Sequence, residues 1–306
     1  MKILVATEKP FAKAAIQGIR EIVEKAGHSL TLLEKYGTEE VFALELADKD
    51  ALIVRSDKVT AMAIANALNL KIVVRAGAGY DNLDLPACTA RGIVAMNTPG
   101  QNANAVAELA IGMMIYLARN QFQPGTGSEL RGKKLGIHAY GNVGRGVAWA
   151  ARGLGMEVFA FDPFVPAEKI KQDGVCPVDN IETLYNTCHY ISLHIPANEQ
   201  TKKSIGYDLL SRMPKGATLI NTARKEVIHE EDLLKIMEER ADFKYGTDIL
   251  PDNKEVFLAK FGTRFFGTPK KMGAETAEAN VNAGLAAATQ IVNFFQNGDT
   301  TFQVNK

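Results

Sequence analysis

The stretch Lys133–Pro163, KKLGIHAYGNVGRGVAWAARGLGMEVFAFDP, decides the fold. Leu135–His138 reads as a short strand, Ala139–Gly144 as a tight turn opening a helix, and Glu157–Phe161 as a second strand closing at Asp162. A strand, a helix and a second strand in so short a span form a βαβ unit, which belongs to a buried parallel sheet. The pattern extends both ways. Upstream, strands are expected at Lys2–Ala6, Ser29–Leu33, Ala51–Val54, Lys71–Val74 and Ile93–Met96, with helices over Phe11–Ala26, Glu39–Ala47 and Ala61–Leu68. A helix over Ala103–Arg119 is apolar nearly all round and is expected to be buried. Downstream, strands are expected at Tyr190–His194, Ala217–Asn221, Tyr245–Ile249 and Thr263–Gly267, and a long Ala-rich helix at Ala274–Gln296.

The turn resembles the dinucleotide-binding fingerprint GxGxxG with its first glycine replaced by Ala139. Gly141 lets the backbone approach a pyrophosphate and Gly144 permits close packing of helix on strand. The loop residues Tyr140, Gly141, Asn142, Val143 and Gly144 are the expected phosphate cradle, because a helix start offers free N–H groups and a favourable dipole. Asp162 stands where a carboxylate accepts the ribose hydroxyls and repels a 2′-phosphate, so NAD is expected rather than NADP.

The fold class is therefore α/β, with two doubly wound parallel-sheet domains, the larger a Rossmann dinucleotide-binding domain. Residues 1–99 are expected to form a substrate-binding domain completed by 277–306, and residues 100–276 the NAD-binding domain. Lys plus Arg and Asp plus Glu both total 35, so the formal charge is zero and nothing favours nucleic acid or an anionic membrane. The cysteines Cys88, Cys176 and Cys188 lack paired spacing, which predicts reduced, buried thiols and no metal cluster. The N-terminal apolar run is too short for a signal peptide and no stretch is long enough to span a bilayer, so a cytoplasmic protein is expected.

Further segments match one family. Val74–Asp84 (VRAGAGYDNLD), Asn97–Asn102 (NTPGQN) with Ala105–Glu108 (AVAE), Ser192–Pro196 (SLHIP) and Leu219–Arg224 (LINTAR) occur in the order seen in the D-isomer specific 2-hydroxyacid dehydrogenases, which the chain resembles nearly throughout. That resemblance implies a hydride exchange between NAD and C2 of a 2-hydroxy acid. Arg224 would clamp the substrate carboxylate, a task suited to a planar guanidinium fork. Asp248 would accept the nicotinamide amide, and His194, Pro196, Thr222 and Ala223 would line the cofactor. The family's acid/base histidine is missing from Thr268–Ala274 (TPKKMGA). Counting back from Met272–Gly273 puts Lys271 in its place; counting forward from Pro269 puts Lys270 there. Lys271 is preferred because the glycine is the better fixed end. A lysine serves if burial, Arg224 and the positive nicotinamide favour its neutral amine. The glutamate that orients the histidine is also missing: Asn253 stands there, with Asp252 and Glu255 nearby.

Val54–Arg55–Ser56 and Arg75–Ala76–Gly77 resemble the phosphoglycerate dehydrogenases of that family, in particular short ones with lysine in place of histidine. Arg55, Ser56, Arg75, Ala76 and Gly77 would then hold the substrate, the two arginines its phosphate. The chain ends at Lys306, so a further regulatory domain and serine feedback are not expected. A glyoxylate or hydroxypyruvate reductase on the same scaffold is the alternative. An NAD(H)-sensing binding protein, like the C-terminal-binding corepressors, is a third reading. The family implies a homodimer through the cofactor domain.

Overall fold

The computed structural model describes residues 1–306. In chain order the elements are β1 (Lys2–Thr7), α1 (Lys13–Lys25), β2 (Ser29–Glu34), α2 (Glu39–Leu46), β3 (Ala51–Val54), α3 (Ala61–Asn66), β4 (Ile72–Arg75), α4 (Leu85–Ala90), β5 (Val94–Asn97), α5 (Ala103–Ala118), β6 (Lys134–His138), α6 (Asn142–Gly153), β7 (Glu157–Phe161), α7 (Ala167–Gln172), β8 (Cys176–Pro177), α8 (Ile181–Thr187), β9 (Tyr190–Leu193), α9 (Tyr207–Leu210), β10 (Thr218–Asn221), α10 (Glu230–Glu239), β11 (Lys244–Thr247), α11 (Lys254–Phe261), β12 (Phe265–Gly267) and α12 (Ala277–Asn297). They fall into two compact units, Met1–Asn102 with Glu275–Lys306, and Ala103–Ala274. No helix is long and apolar enough to cross a membrane.

The smaller unit is a five-stranded sheet in the order β2-β1-β3-β4-β5, every pair parallel. Its central strands are apolar on both faces, as a sheet covered on both sides requires. Ile3, Val5, Ala51 and Ile53 face α1 and α12, while Leu4, Ala6, Leu52 and Val54 face the side of α2 and α3. The helices α1 and α12 pack closely: a Cβ at Gly18 would lie 2.4 Å from Leu285 Cδ2. Residues 303–305 cap the sheet edge, with Val304 N donating to Ala95 O at 2.8 Å and Asn305 Oδ1 accepting from Ala95 N at 2.9 Å. Strand order reverses at β1 and β3, and an open sheet binds its ligand beyond the carboxyl ends of the strands at such a point.

The larger unit is a seven-stranded parallel sheet in the order β12-β11-β10-β9-β6-β7-β8, with its reversal between β6 and β9. Leu135, Ile137, Tyr190 and Ile220 pack against α5 and α6; Ile191, Leu193, Leu219 and Tyr245 pack on the opposite face against α8 and α10. The expected burial of α5 holds along most of its length, from Ala103 through Ala107, Ala110 and Met114 to Ala118. The half-buried Lys244 ammonium caps its end, donating to Leu117 O at 2.7 Å.

Several elements differ from the sequence reading. The helix α12 starts at Ala277 rather than Ala274, because Thr276 is its N-cap and its hydroxyl accepts from Ala279 N at 3.1 Å. Strand β12 starts at Phe265, after a 3₁₀ turn over Gly262–Arg264. The helix α4 was not expected from periodicity; its signal is local, with Asp84 Oδ1 accepting from Ala87 N at 3.0 Å and a proline in the first turn. Of the three thiols, Cys88 and Cys188 are buried, but Cys176 is exposed because β8 is a two-residue edge strand.

Candidate active site

The dinucleotide turn begins where β6 ends. Ala139 N donates to Phe161 O at 2.9 Å, continuing the β6–β7 pairing one residue further. Ala139 itself has φ +78°, the left-handed conformation that glycine adopts without steric cost. The missing first glycine thus leaves the turn unchanged and adds about 1 kcal/mol of backbone strain. Gly141 is the N-cap of α6, and a Cβ built on it would meet nothing within 4 Å. At Gly144 a Cβ would lie 2.4 Å from Ala139 O and 2.9 Å from Ile137 Cγ2, so only glycine lets α6 approach β6 this closely.

Asp162 is locked by the same turn. Its Oδ2 accepts from Tyr140 N at 2.7 Å and its Oδ1 from Phe164 N at 2.8 Å, leaving each oxygen a lone pair for a further donor. The Tyr140 side chain turns inward: it is 1% exposed, and its hydroxyl donates to Asp173 Oδ2 at 3.1 Å. Tyr140 therefore braces Asp162 through its backbone, while its ring belongs to the core. Val143 packs with that core, and Asn142 is exposed at the helix start.

Two histidines meet at the reversal point. His194 N donates to His138 O at 2.9 Å, bringing the ends of β9 and β6 side by side. Burial pushes the His138 imidazole down to about 4, against the pull of Asp162. Burial, with His138 adding to it, pushes His194 down to about 3. Both rings are neutral at pH 7. His138 Nδ1 lies 3.3 Å from the Tyr185 hydroxyl, which spends it on the core. His194 Nε2, Ser192 Oγ and Thr222 Oγ1 are buried with no hydrogen-bond partner inside the protein. Buried polar atoms left this way at the carboxyl ends of strands suit a polar ligand such as a dinucleotide. Ser192, the first residue of the SLHIP motif, is a functional candidate that the sequence alone does not single out. Pro196 is exposed, its carbonyl accepting from Thr201 Oγ1 at 2.5 Å, and Ala223 is buried.

The loops after β10 and β11 hold the charged groups. Asn221 braces Arg224 from both sides: its Oδ1 accepts from Ala223 N and its Nδ2 donates to Arg224 O, each at 3.0 Å. Arg224 is extended there, with Nη1 donating to Ala223 O at 2.8 Å. Asp248 is 1% exposed, and its Oδ2 accepts from Gly273 N at 2.9 Å. Its Oδ1 is buried and takes no hydrogen bond from the protein, which fits an acceptor for an incoming amide. Burial raises the Asp248 carboxyl above its ordinary range, opposed by the Gly273 N–H and by the charges of Lys271 and Arg224. Those two cations, distant in sequence, therefore act on one carboxylate. A Cβ at Gly273 would lie 2.8 Å from Asp248 Oδ2, so the glycine is what admits this contact.

The segment carrying Lys270 and Lys271 is pinned at both ends. Thr268 Oγ1 donates to Lys270 O at 2.7 Å, and Gly273 is held by Asp248. Both lysines are exposed, so the burial expected to favour a neutral Lys271 amine is not provided by this fold alone, and it is Lys271 whose charge reaches Asp248. Asp252 pairs with Lys225 at 2.5 Å, and Glu255 lies 3.8 Å from Lys254. Glu230 takes the backbone N–H of Asp252 at 2.8 Å and of Asn253 at 2.7 Å.

In the smaller unit, Arg55 follows β3 and Arg75 ends β4, on neighbouring strands. Arg75 Nε donates to Arg55 O at 2.8 Å. A Cβ at Gly77, whose φ is +152°, would lie 1.5 Å from Arg75 Nη1, so the guanidinium lies over the bare glycine. Ala76 is buried, its N–H donating to Val54 O at 2.8 Å, and Ser56 is exposed. The Arg55 fork rests on groups the sequence reading did not include: Asn280 Oδ1, and the carbonyls of Lys9 and Pro10, both at 3.4 Å.

The D-isomer specific 2-hydroxyacid dehydrogenase model, for the NAD-binding domain of those enzymes, matches residues 92–263. The D-3-phosphoglycerate dehydrogenase of Methanocaldococcus jannaschii is 35% identical over 273 residues, covering 83% of this chain and 51% of its own. The chain thus spans about half the length of that relative. The hydroxypyruvate reductase of Thermotoga maritima is 34% identical over 263 residues, covering 80% of this chain and 85% of its own. Among solved structures, the NAD⁺-bound 3-phosphoglycerate dehydrogenase of Entamoeba histolytica superposes with a TM-score of 0.88 at 52% identity, covering 100% of this chain and 99% of that one. A D-2-hydroxyisocaproate dehydrogenase superposes with a TM-score of 0.84 at 23% identity, a likeness of fold.

Proposed function

From the premise that this chain belongs to the D-isomer specific 2-hydroxyacid dehydrogenases, we propose that it oxidises 3-phospho-D-glycerate to 3-phosphohydroxypyruvate, the entry to serine synthesis. NAD⁺, when bound, accepts the hydride from C2. The residues do the rest. Lys271, as the neutral amine, takes the hydroxyl proton, so one hydride and one proton leave and a carbonyl forms at C2. Arg224 clamps the carboxylate and stabilises charge developing on the C2 oxygen. Asp248 Oδ1 accepts from the carboxamide, Asp162 takes the ribose hydroxyls, and the open start of α6 at Gly141 receives the pyrophosphate. Arg55 and Arg75 take the phosphate of the substrate.

The observation that carries the substrate assignment is the pair of guanidinium groups on neighbouring strand ends, with Arg75 bonded to Arg55 O at 2.8 Å. A lactate or glyoxylate offers nothing for a second cationic pair, whereas a phosphate dianion needs charge-assisted donors. The likeness to two phosphoglycerate dehydrogenases supports the same choice. The test is NADH formation with 3-phosphoglycerate beside D-glycerate, D-lactate and other 2-hydroxy acids; a higher kcat/KM for an unphosphorylated acid refutes it. Hydroxypyruvate reduction is the second reading, supported by the Thermotoga relative, which matches over most of its length. Comparing hydroxypyruvate with its phosphorylated analogue separates the two. The active form we propose is a homodimer through the larger unit, whose surface carries Trp149 at 77% and Phe122 at 70% exposure. A monomeric mass in solution would rule that out.

A further inference from the structure

We propose that Asn280 is a specificity-determining positioning residue: it orients the Arg55 guanidinium without neutralising it, and so reserves that charge for the substrate phosphate. The inference rests on the reading of Arg55 given above and names what keeps that residue competent.

The partners of Arg55 are all uncharged. Nη2 donates to Asn280 Oδ1, Nη1 lies 3.4 Å from the carbonyls of Lys9 and Pro10, and the guanidinium sits 5.3 Å from the centre of the Phe11 ring. Three arginines elsewhere meet a carboxylate, Arg20 with Glu24, Arg145 with Asp173 and Arg240 with Asp242, whereas Arg91 and Arg264, like Arg55, rest on carbonyls. An arginine held by carbonyls and an aromatic face is fixed in direction but keeps its full charge.

The amide at 280 can face Arg55 in only one way. Asn280 Nδ2 donates to Thr276 O at 2.9 Å, and a carbonyl accepts only from the NH₂ end of the amide. The oxygen therefore points at Arg55. Thr276 is the N-cap of α12, and that helix is packed against α1 through Gly18, so the acceptor stands on a rigid element. Arg55 O in turn holds Arg75 at 2.8 Å. One neutral side chain in the first turn of α12 thus braces a cluster of two cations. Aspartate at this position would still accept from Arg55 and would cancel its charge, while losing the donor to Thr276 O.

The test is Asn280→Asp in the full chain, with 3-phosphohydroxypyruvate and hydroxypyruvate as substrates and NADH oxidation as the readout. A negative charge in the first turn of a helix is favourable to the helix dipole, so the variant is expected to fold, and its melting temperature checks this. The preference for the phosphorylated substrate, as a ratio of kcat/KM values, falls at least about tenfold, as expected for a lost charge-assisted contact. The loss appears in KM rather than kcat, and NADH affinity is retained. Asn280→Gln, a neutral acceptor, keeps more of the preference than Asn280→Asp. Equal losses on both substrates, or an unaltered ratio, overturn the proposal while leaving the substrate reading intact. A wild-type chain with no preference for the phosphorylated acid overturns the substrate reading, and this inference with it.

Discussion

Gly141 and Gly144 stand three residues apart in the same turn but are needed for different reasons, and single substitutions separate them. A Cβ at Gly141 meets nothing within 4 Å, and the residue has φ −80°, which any amino acid adopts. A side chain there costs the folded protein only what the N-cap position costs. Alanine is a poor N-cap and loses about 1 kcal/mol, whereas serine is a good one and loses nothing. Gly141→Ser is therefore the cleaner probe: its melting temperature stays within about 2 °C of wild type, since 1 kcal/mol moves a unit of this size by roughly 2–4 °C. Its NADH affinity falls. The added atoms occupy the space through which a pyrophosphate reaches the N–H groups at the start of α6. Losing one charge-assisted hydrogen bond there costs about 2 kcal/mol, a rise in Kd of roughly 30-fold.

Gly144→Ala gives the opposite profile. Its Cβ would lie 2.4 Å from Ala139 O and 2.9 Å from Ile137 Cγ2, both on the strand and turn that α6 packs upon. Overpacking of this kind costs about 1–3 kcal/mol, offset in part by the better helix propensity of alanine. The measurements are a thermal melt without cofactor and NADH fluorescence titration for each variant. If Gly141→Ser binds NADH as tightly as wild type, the pyrophosphate does not approach at that residue and the cofactor reading of the turn is wrong. If Gly141→Ser instead melts like Gly144→Ala, the space beside it is not open.

Three further outcomes are expected. Lys271→Ala lowers kcat by at least about 100-fold, the usual worth of a positioned acid/base group, with NADH Kd within twofold; stopped-flow binding and steady-state turnover check this, and undiminished turnover assigns the proton to another group. Gly77→Ala raises KM for the phosphorylated substrate about tenfold or more, because its Cβ must displace an Arg75 Nη1 only 1.5 Å away; an unchanged KM means Arg75 is not a phosphate ligand. Acid destabilises the fold through the buried histidine pair. His138 is held down to about 4 in the folded chain, so below about pH 6.5 the unfolded chain takes up a proton that the folded one refuses. Stability is complete above that pH, and His138 alone accounts for a fall of about 3 kcal/mol towards pH 4, with His194 adding its own share; denaturant midpoints across this range test it, and His138→Gln should make the fall shallower.

The sequence made the architecture legible where local physics repeats. Strands buried on both faces spell continuous apolar runs, so Ala51–Val54 and Tyr190–Leu193 stand out, and their alternation with helices implies parallel sheets. The dinucleotide turn was legible because glycine spacing reports steric demands directly. Long-range support left no such mark. Arg55 and Asn280 are 225 positions apart, and nothing near either residue announces the other. The two-residue strand β8 is too short to show a period. The left-handed backbone of Ala139 is invisible in composition, because an alanine there looks like a defect in the fingerprint when it is a strained copy of it.

The two departures from the family pattern near the proton-transfer position also become one when the contacts are traced. An imidazole must carry its proton on the correct nitrogen, and a carboxylate on its far side selects that tautomer. An amine has no tautomers, and rotation about its terminal C–N bond brings its single lone pair to the proton. A chain with Lys271 needs no orienting carboxylate, and the loop that would carry one is engaged otherwise. Asp252 pairs with Lys225 at 2.5 Å, while Glu230 collects the N–H groups of Asp252 and Asn253. Orientation passes from a side chain to the backbone. Thr268 and Gly273 anchor the segment on either side of Lys271, and Asp248, which holds Gly273 at 2.9 Å, is also the carboxylate on which Lys271 and Arg224 act. On the proposed role of Lys271, replacing the histidine removes the need for its partner, and the loop that would have carried that partner is tied down through Glu230.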